Sequence, residues 1–131
     1  MTRAALGVIT KSMKELDLKY MLKEYKVRQS EEKPPDIYFV GEYQEAEPVN
    51  EDGMDETTFM ISGFSRIGAA ALEEAKEKLE KCFPRIEGKV SRTATGSVVA
   101  VFYTNCFNNL PTGNTEITKM QINLLIKEWK V

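Results

Sequence analysis

Carboxylates are the one chemically capable kind of side chain that this sequence gathers. Between Asp36 and Ser65 the stretch DIYFVGEYQEAEPVNEDGMDETTFMISGFS carries eight of them and no Lys or Arg. Glu42, Glu45 and Glu47 are close enough to raise paired acid–base chemistry. On a strand, however, Glu45 and Glu47 share a face while Glu42 takes the other, and a pair with split pKa values needs burial that spacing does not supply. The run NEDGMDE brings Asn50, Asp52 and Glu56 near calcium-loop spacing, but strands flank it where an EF-hand has helices. The chain has no histidine, so a Ser or Cys nucleophile lacks its usual base. No GxGxxG, Walker loop or HExxH is present. Cys82 and Cys106 match no zinc spacing and read as buried, reduced thiols. No catalytic residue, metal or cofactor is expected.

The elements around these residues follow from apolar periodicity. Ala5, Val8, Ile9, Ser12, Met13 and Leu16 fall on one face of a helix over 4–16, despite Gly7. Leu18 to Val27 alternates as a strand, with continuation of the helix through Tyr25 as the alternative. The run RQSEEKPPD is a loop, because Pro34 and Pro35 disfavour helix upstream. Strands are predicted at 37–46 and 56–65, joined by EPVNEDGMD with its Asp52-Gly53 turn signal. A helix over 69–83 places Leu72, Ala75, Leu79 and Phe83 inward and ends at Pro84. Strands at 88–95, 97–104 and 117–131 complete the chain, with a loop from Asn105 to Glu116. The order α-β-β-β-α-β-β-β over residues 1–131 predicts a single α+β domain. Its sheet is mixed or mainly antiparallel and both helices pack on it.

Composition narrows the partners. A length of 131 residues suits one domain. The formal net charge of −2 argues against bulk attraction to nucleic acid or an anionic membrane. No apolar run approaches the roughly 18 residues of a membrane span, and Gly7, Thr10, Lys11 and Ser12 interrupt any secretory-type core. A cytoplasmic protein is expected. The aromatic residues Tyr38, Phe39, Tyr43, Phe59, Phe64, Phe102 and Tyr103 could stack bases, but those in the hairpin sit among acids, and core packing or subunit contacts explain them better.

The acidic segment therefore reads as an interface. Pairing of its apolar ends gathers most of its like charges at one hairpin tip, and that self-repulsion finds a reason in a surface of opposite sign. The candidate residues are Glu45, Glu47, Glu51, Asp52, Asp55 and Glu56. Lys76, Lys78 and Lys81 on the second helix, with Lys11, Lys14 and Lys19 near the first, offer the complementary charge. Heterologous contacts of this kind build rings, with charge setting register. A second reading is a small adaptor or regulator whose acidic hairpin binds a basic protein.

The succession YFVGEY, an acidic NEDG turn, ETTFMISGFSR, LEEAKEKLEKCF and ITKMQINLLIKEWK resembles the tail terminator or tail-completion proteins of long-tailed phages and prophages. The likeness runs through nearly the whole chain in element order, without an invariant catalytic signature. It implies a structural α/β subunit that forms a ring, commonly of six copies. Such a ring would cap the last ring of tail-tube subunits and dock to the head connector. It implies assembly in the host cytoplasm, residence in the virion tail, and contact with a neighbouring ring through the 45–56 loop.

Overall fold

The computed structural model describes residues 1–27, 34–45, 53–110, 112–113 and 116–130. Its elements are α1 (Arg3–Glu15), β1 (Tyr20–Leu22), β2 (Ile37–Glu45), β3 (Met54–Ser65), α2 (Ala69–Cys82), β4 (Lys89–Arg92), β5 (Val98–Leu110) and β6 (Thr118–Trp129). The sequence order of helices and strands is the expected one, and the molecule is a single α+β domain.

All strands join one mixed sheet in the order β1-β2-β3-β6-β5-β4. Only β1 runs parallel to its neighbour; every other pair is antiparallel. The long strands β3 and β6 form the centre, with Met54 opposite Trp129 and Ser65 opposite Thr118.

Alternation then decides the core. Phe39, Phe59, Ile61, Val99, Val101, Met120, Ile122, Leu124 and Ile126 all point to one side of the pleat. Ala5, Ile9 and Met13 from α1 and Leu72, Ala75 and Leu79 from α2 bury against them. Both helices thus cover the same face, and among the described residues the opposite face has no helix on it. Glycine permits the closest approach: a Cβ on Gly63 would lie 2.7 Å from Phe39 Cε1, and one on Gly41 would lie 2.5 Å from Tyr20 Oη and 2.7 Å from Phe59 Cζ.

Each helix has a local cause. The Thr2 hydroxyl caps α1 by accepting the Ala5 N–H at 3.1 Å. Its buried residues, Ala5, Ile9, Ser12 and Met13, recur at helical spacing. Asp17, at φ 58°, turns the chain into β1. In α2, Leu72, Ala75 and Leu79 are buried, and the Phe83 N–H closes the last turn on the Leu79 carbonyl.

β3 starts two residues earlier than expected, at Met54, β4 ends three earlier, at Arg92, and two other boundaries differ more. The strand expected over 18–27 contracts to Tyr20–Leu22, because Lys23 takes the left-handed conformation at φ 69°. The loop expected from Asn105 begins later, because β5 runs on to Leu110 alongside β6. A register shift between Tyr103 and Asn105 absorbs one extra residue there.

Candidate functional site

The acidic segment is less free than its sequence implies. Its second strand, β3, lies between β2 and β6 rather than on a free-standing ribbon. Asp55 and Glu56 are therefore registered opposite Glu128 and Lys127 of β6. Asp55 pairs with Lys130 at 2.6 Å, and Glu56 approaches Lys127 at 4.0 Å. The Asp55 hydrogen bond holds the Lys130 ammonium above its ordinary pKa. Glu45 pairs with the Met1 ammonium. The expectation of unmatched charge is thus corrected at these three carboxylates, whose counter-ions come from the same chain. Glu42 is exposed and makes no ion pair among the described residues. Glu47, Glu51 and Asp52 lie outside the described residues, as does most of the calcium-like NEDGMDE run.

The basic candidates occupy a different place. Lys76 pairs with Glu73 at 3.0 Å, and that hydrogen bond raises its pKa. Lys78 and Lys81 are exposed on α2 and make no ion pair among the described residues. Lys78 borders a groove shared with Asp17, Asp36 and Ile37, at the start of β2, whereas Glu45 is its last residue. Lys78 and Glu45 therefore lie at opposite ends of β2. Near the first helix, Lys11 reaches Glu15 at 3.9 Å.

Among the described residues, Glu42 and Glu45 form no general acid–base pair. Glu42 and Glu45 differ in parity along β2 and point to opposite faces. Among the described residues no group of three or more His, Cys, Asp or Glu side chains could hold a metal. Cys82 and Cys106 are free and half-buried, less enclosed than their sequence setting implied. Burial pushes both thiols up, against the partly offsetting attraction of Lys89 and Lys76 respectively.

One polar cluster was hidden from sequence reasoning. Glu128 is only 3% exposed, yet it is charged and sits on the core side of β6. Its Oε2 accepts from the Thr2 hydroxyl at 2.6 Å and from the Ser97 hydroxyl at 3.1 Å. Thr93 shares hydrogen bonds with Ser97 at 2.7 Å and with Thr95 at 2.9 Å. Glu128 Oε1 is buried without a protein partner among the described residues. The signal was available in the alternation Met120, Ile122, Leu124, Ile126, Glu128. The cluster fixes the start of α1 to the end of β6.

The helix-free face carries the remaining features. Tyr25, Tyr38 and Phe64 form a run of rings with centroids 5.1 Å and 5.0 Å apart, and the Lys119 ammonium lies 5.5 Å from the Phe64 centroid. Gln121 donates to Asn123 at 2.9 Å and Asn123 to Asn105 at 2.7 Å, an amide ladder across β6 and β5. Phe107 and Val90 remain 52% and 64% exposed, so apolar surface persists on the sheet's β5–β4 side.

These features define an α+β domain with one sheet face that carries no helix among the described residues. No protein-family model, curated protein or solved structure matches the chain. No helix among the described residues is long and apolar enough to cross a membrane.

Proposed function

We propose that this chain is a non-enzymatic structural protein of a tailed phage or prophage. In this reading it forms a ring at the tail end or head–tail joint, stops tail-tube growth and presents a docking face. The observation that carries the reading is the one-sided sheet. Its helix-free side combines stacked rings, an amide ladder and exposed apolar groups, a composition suited to contact with other protein surfaces. The sequence resemblance to tail-terminator proteins supplies the setting, with tail-tube and head-connector proteins as partners.

The charged candidates divide in this reading. Asp55 and Glu56 serve the fold through Lys130 and Lys127. Lys78, Lys81 and the acidic 47–52 tip are the groups assigned to contacts between subunits. Light scattering and electron microscopy of the purified protein test the reading: discrete rings, or a monomer that closes into rings on concentration, support it. A persistent monomer that captures a basic protein instead favours the adaptor. Changing Glu47, Glu51 and Asp52 to their amides is expected to weaken ring formation, and rings that survive the change dismiss the acidic segment.

A further inference from the structure

Both lateral edges of the sheet are stepped. On one side, β1 covers only Phe39 to Gly41 of β2, and no described strand lies outside the β2 segment that follows. On the other, β4 covers only Val98 to Val101 of β5. Just beyond it, the Phe83 carbonyl accepts the Tyr103 N–H at 3.0 Å and Arg85 donates to the Thr104 carbonyl at 2.7 Å. From Asn105 to Asn108 no described strand lies outside β5.

The steps have complementary heights. Across the registered pairs, Leu22 is level with Gly41, Ile61, Ile122 and Cys106, and Met21 with Val40, Ser62, Gln121 and Phe107. The projecting strand β1 is therefore level with the vacant part of β5. By the same count Glu45 is level with Lys89, and Glu42 with Asn105, next to the Arg85-bound Thr104 carbonyl. Direction agrees too, since β1 runs with β2 and hence opposite to β5.

Backbone groups are available on both sides, at Tyr20 on one edge and Cys106 on the other, although the Leu22 carbonyl already accepts the Glu24 N–H at 2.9 Å. Lys19 C=O and Lys23 N–H address β2, so the intervening Tyr20 backbone turns away from it. After the bulge, alternation turns the Cys106 backbone away from β6. An edge with unpaired donors and acceptors is a template for another strand. Charge does not direct this contact: Glu45 already pairs with the Met1 ammonium, Arg85 with Glu80 and Lys89 with Glu15, and Glu42 points to the helix-free face.

We propose that two copies of this chain join edge to edge, β1 of one pairing antiparallel with the Asn105–Asn108 part of β5 in the next. The contact is heterologous, because one patch meets a different patch, and repetition closes a ring when the rotation per copy divides a full turn. Sheets then continue from copy to copy with every helix layer on the same side. This contact specifies how the ring proposed above is joined and rests on that reading for closure.

The test uses the full chain with Cys106→Pro, which removes an outward N–H from β5, and Cys106→Ala as its control. Sedimentation measures self-association, and hydrogen exchange follows the Tyr20 and Cys106 amides. Cys106→Ala, which keeps that N–H, is expected to associate as the wild-type chain does. Cys106→Pro should abolish association while leaving the circular dichroism of the monomer unchanged. The Tyr20 and Cys106 amides should gain protection on assembly. Rings that tolerate Cys106→Pro, with those amides unprotected in the wild-type chain, overturn the edge contact and leave the ring reading standing. A wild-type chain that stays monomeric at every concentration overturns both.

Discussion

Thr2 and Glu128 meet across 126 positions of sequence, with the Thr2 hydroxyl 2.6 Å from Glu128 Oε2. The same hydroxyl accepts the Ala5 N–H, so one side chain caps α1 and secures the last strand. Glu128 in turn is placed near the positive end of the α1 dipole, where a carboxylate is favoured. The pair couples two elements that otherwise meet only through apolar packing.

Loss of the cap is the first expectation. Thr2→Ala should cost about 1 kcal/mol in urea denaturation, the usual scale for an N-cap. Because Glu128 also uses that hydroxyl, Thr2→Ala combined with Glu128→Gln should depart from additivity by about 1 kcal/mol. Strict additivity would mean that the two groups act independently.

Gly41 and Gly63 are places where a single methyl group is felt. In Gly41→Ala the new Cβ collides with the Tyr20 hydroxyl end and the Phe59 ring; in Gly63→Ala it meets the Phe39 ring. Each variant is expected to lose about 1–3 kcal/mol by overpacking. Gly7→Ala is the control, because a Cβ there meets nothing within 4 Å. Its exposed site on α1 should make the chain about 1 kcal/mol more stable through helix propensity. Thermal melts of the three variants separate the effects.

Alkaline pH should unfold the protein earlier than an ordinary chain. Burial holds the phenols of Tyr20 and Tyr103 above 10.0 and the thiols of Cys82 and Cys106 above 9.0. In each case the folded chain binds the proton more tightly than the unfolded chain does. Their stabilising contribution is therefore complete below the unfolded values, about pH 8.5 for thiols and about pH 10 for phenols. It is lost as pH rises through the folded ones. The melting temperature should fall on passing from about pH 8 to about pH 11, and native thiols should alkylate far more slowly than urea-unfolded ones. Equal alkylation rates would remove burial as the cause.

The ion pairs on β3 should matter little to stability. Asp55→Asn and Glu56→Gln each break a partly exposed pair, and a loss of about 0–1 kcal/mol is expected at low salt, shrinking at high salt. Chemical denaturation at two ionic strengths checks this. A larger loss would show that those carboxylates hold β3 to β6 more firmly than exposed pairs usually do.

Regular alternation made much of the fold legible. Ile122, Leu124 and Ile126 announced a half-buried strand, and Leu72, Ala75 and Leu79 a helix, because burial leaves a period in sequence. Neighbour choice leaves none. Nothing local places β6 against β3, so the pairing of Asp55 with Lys130 was invisible, and the acidic run read as unopposed charge. Lys23 illustrates a second blind spot, since a left-handed lysine ends β1 without any glycine or proline to mark it. Asn105 illustrates a third. Its turn-like character was outweighed by β6, whose Asn123 offered an amide partner.

The placement of β6 has a further cost for the living cell. It emerges from the ribosome after every other strand, yet it belongs between β3 and β5, at the middle of the sheet. Until it arrives, the β2–β3 hairpin and the β4–β5 hairpin each hold an apolar strand with an unmatched side. Such intermediates are prone to stick to one another, and closing distant pairings is slow. Yield in expression should therefore depend on temperature and on chaperones that hold nascent chains, more than on the stability of the finished fold.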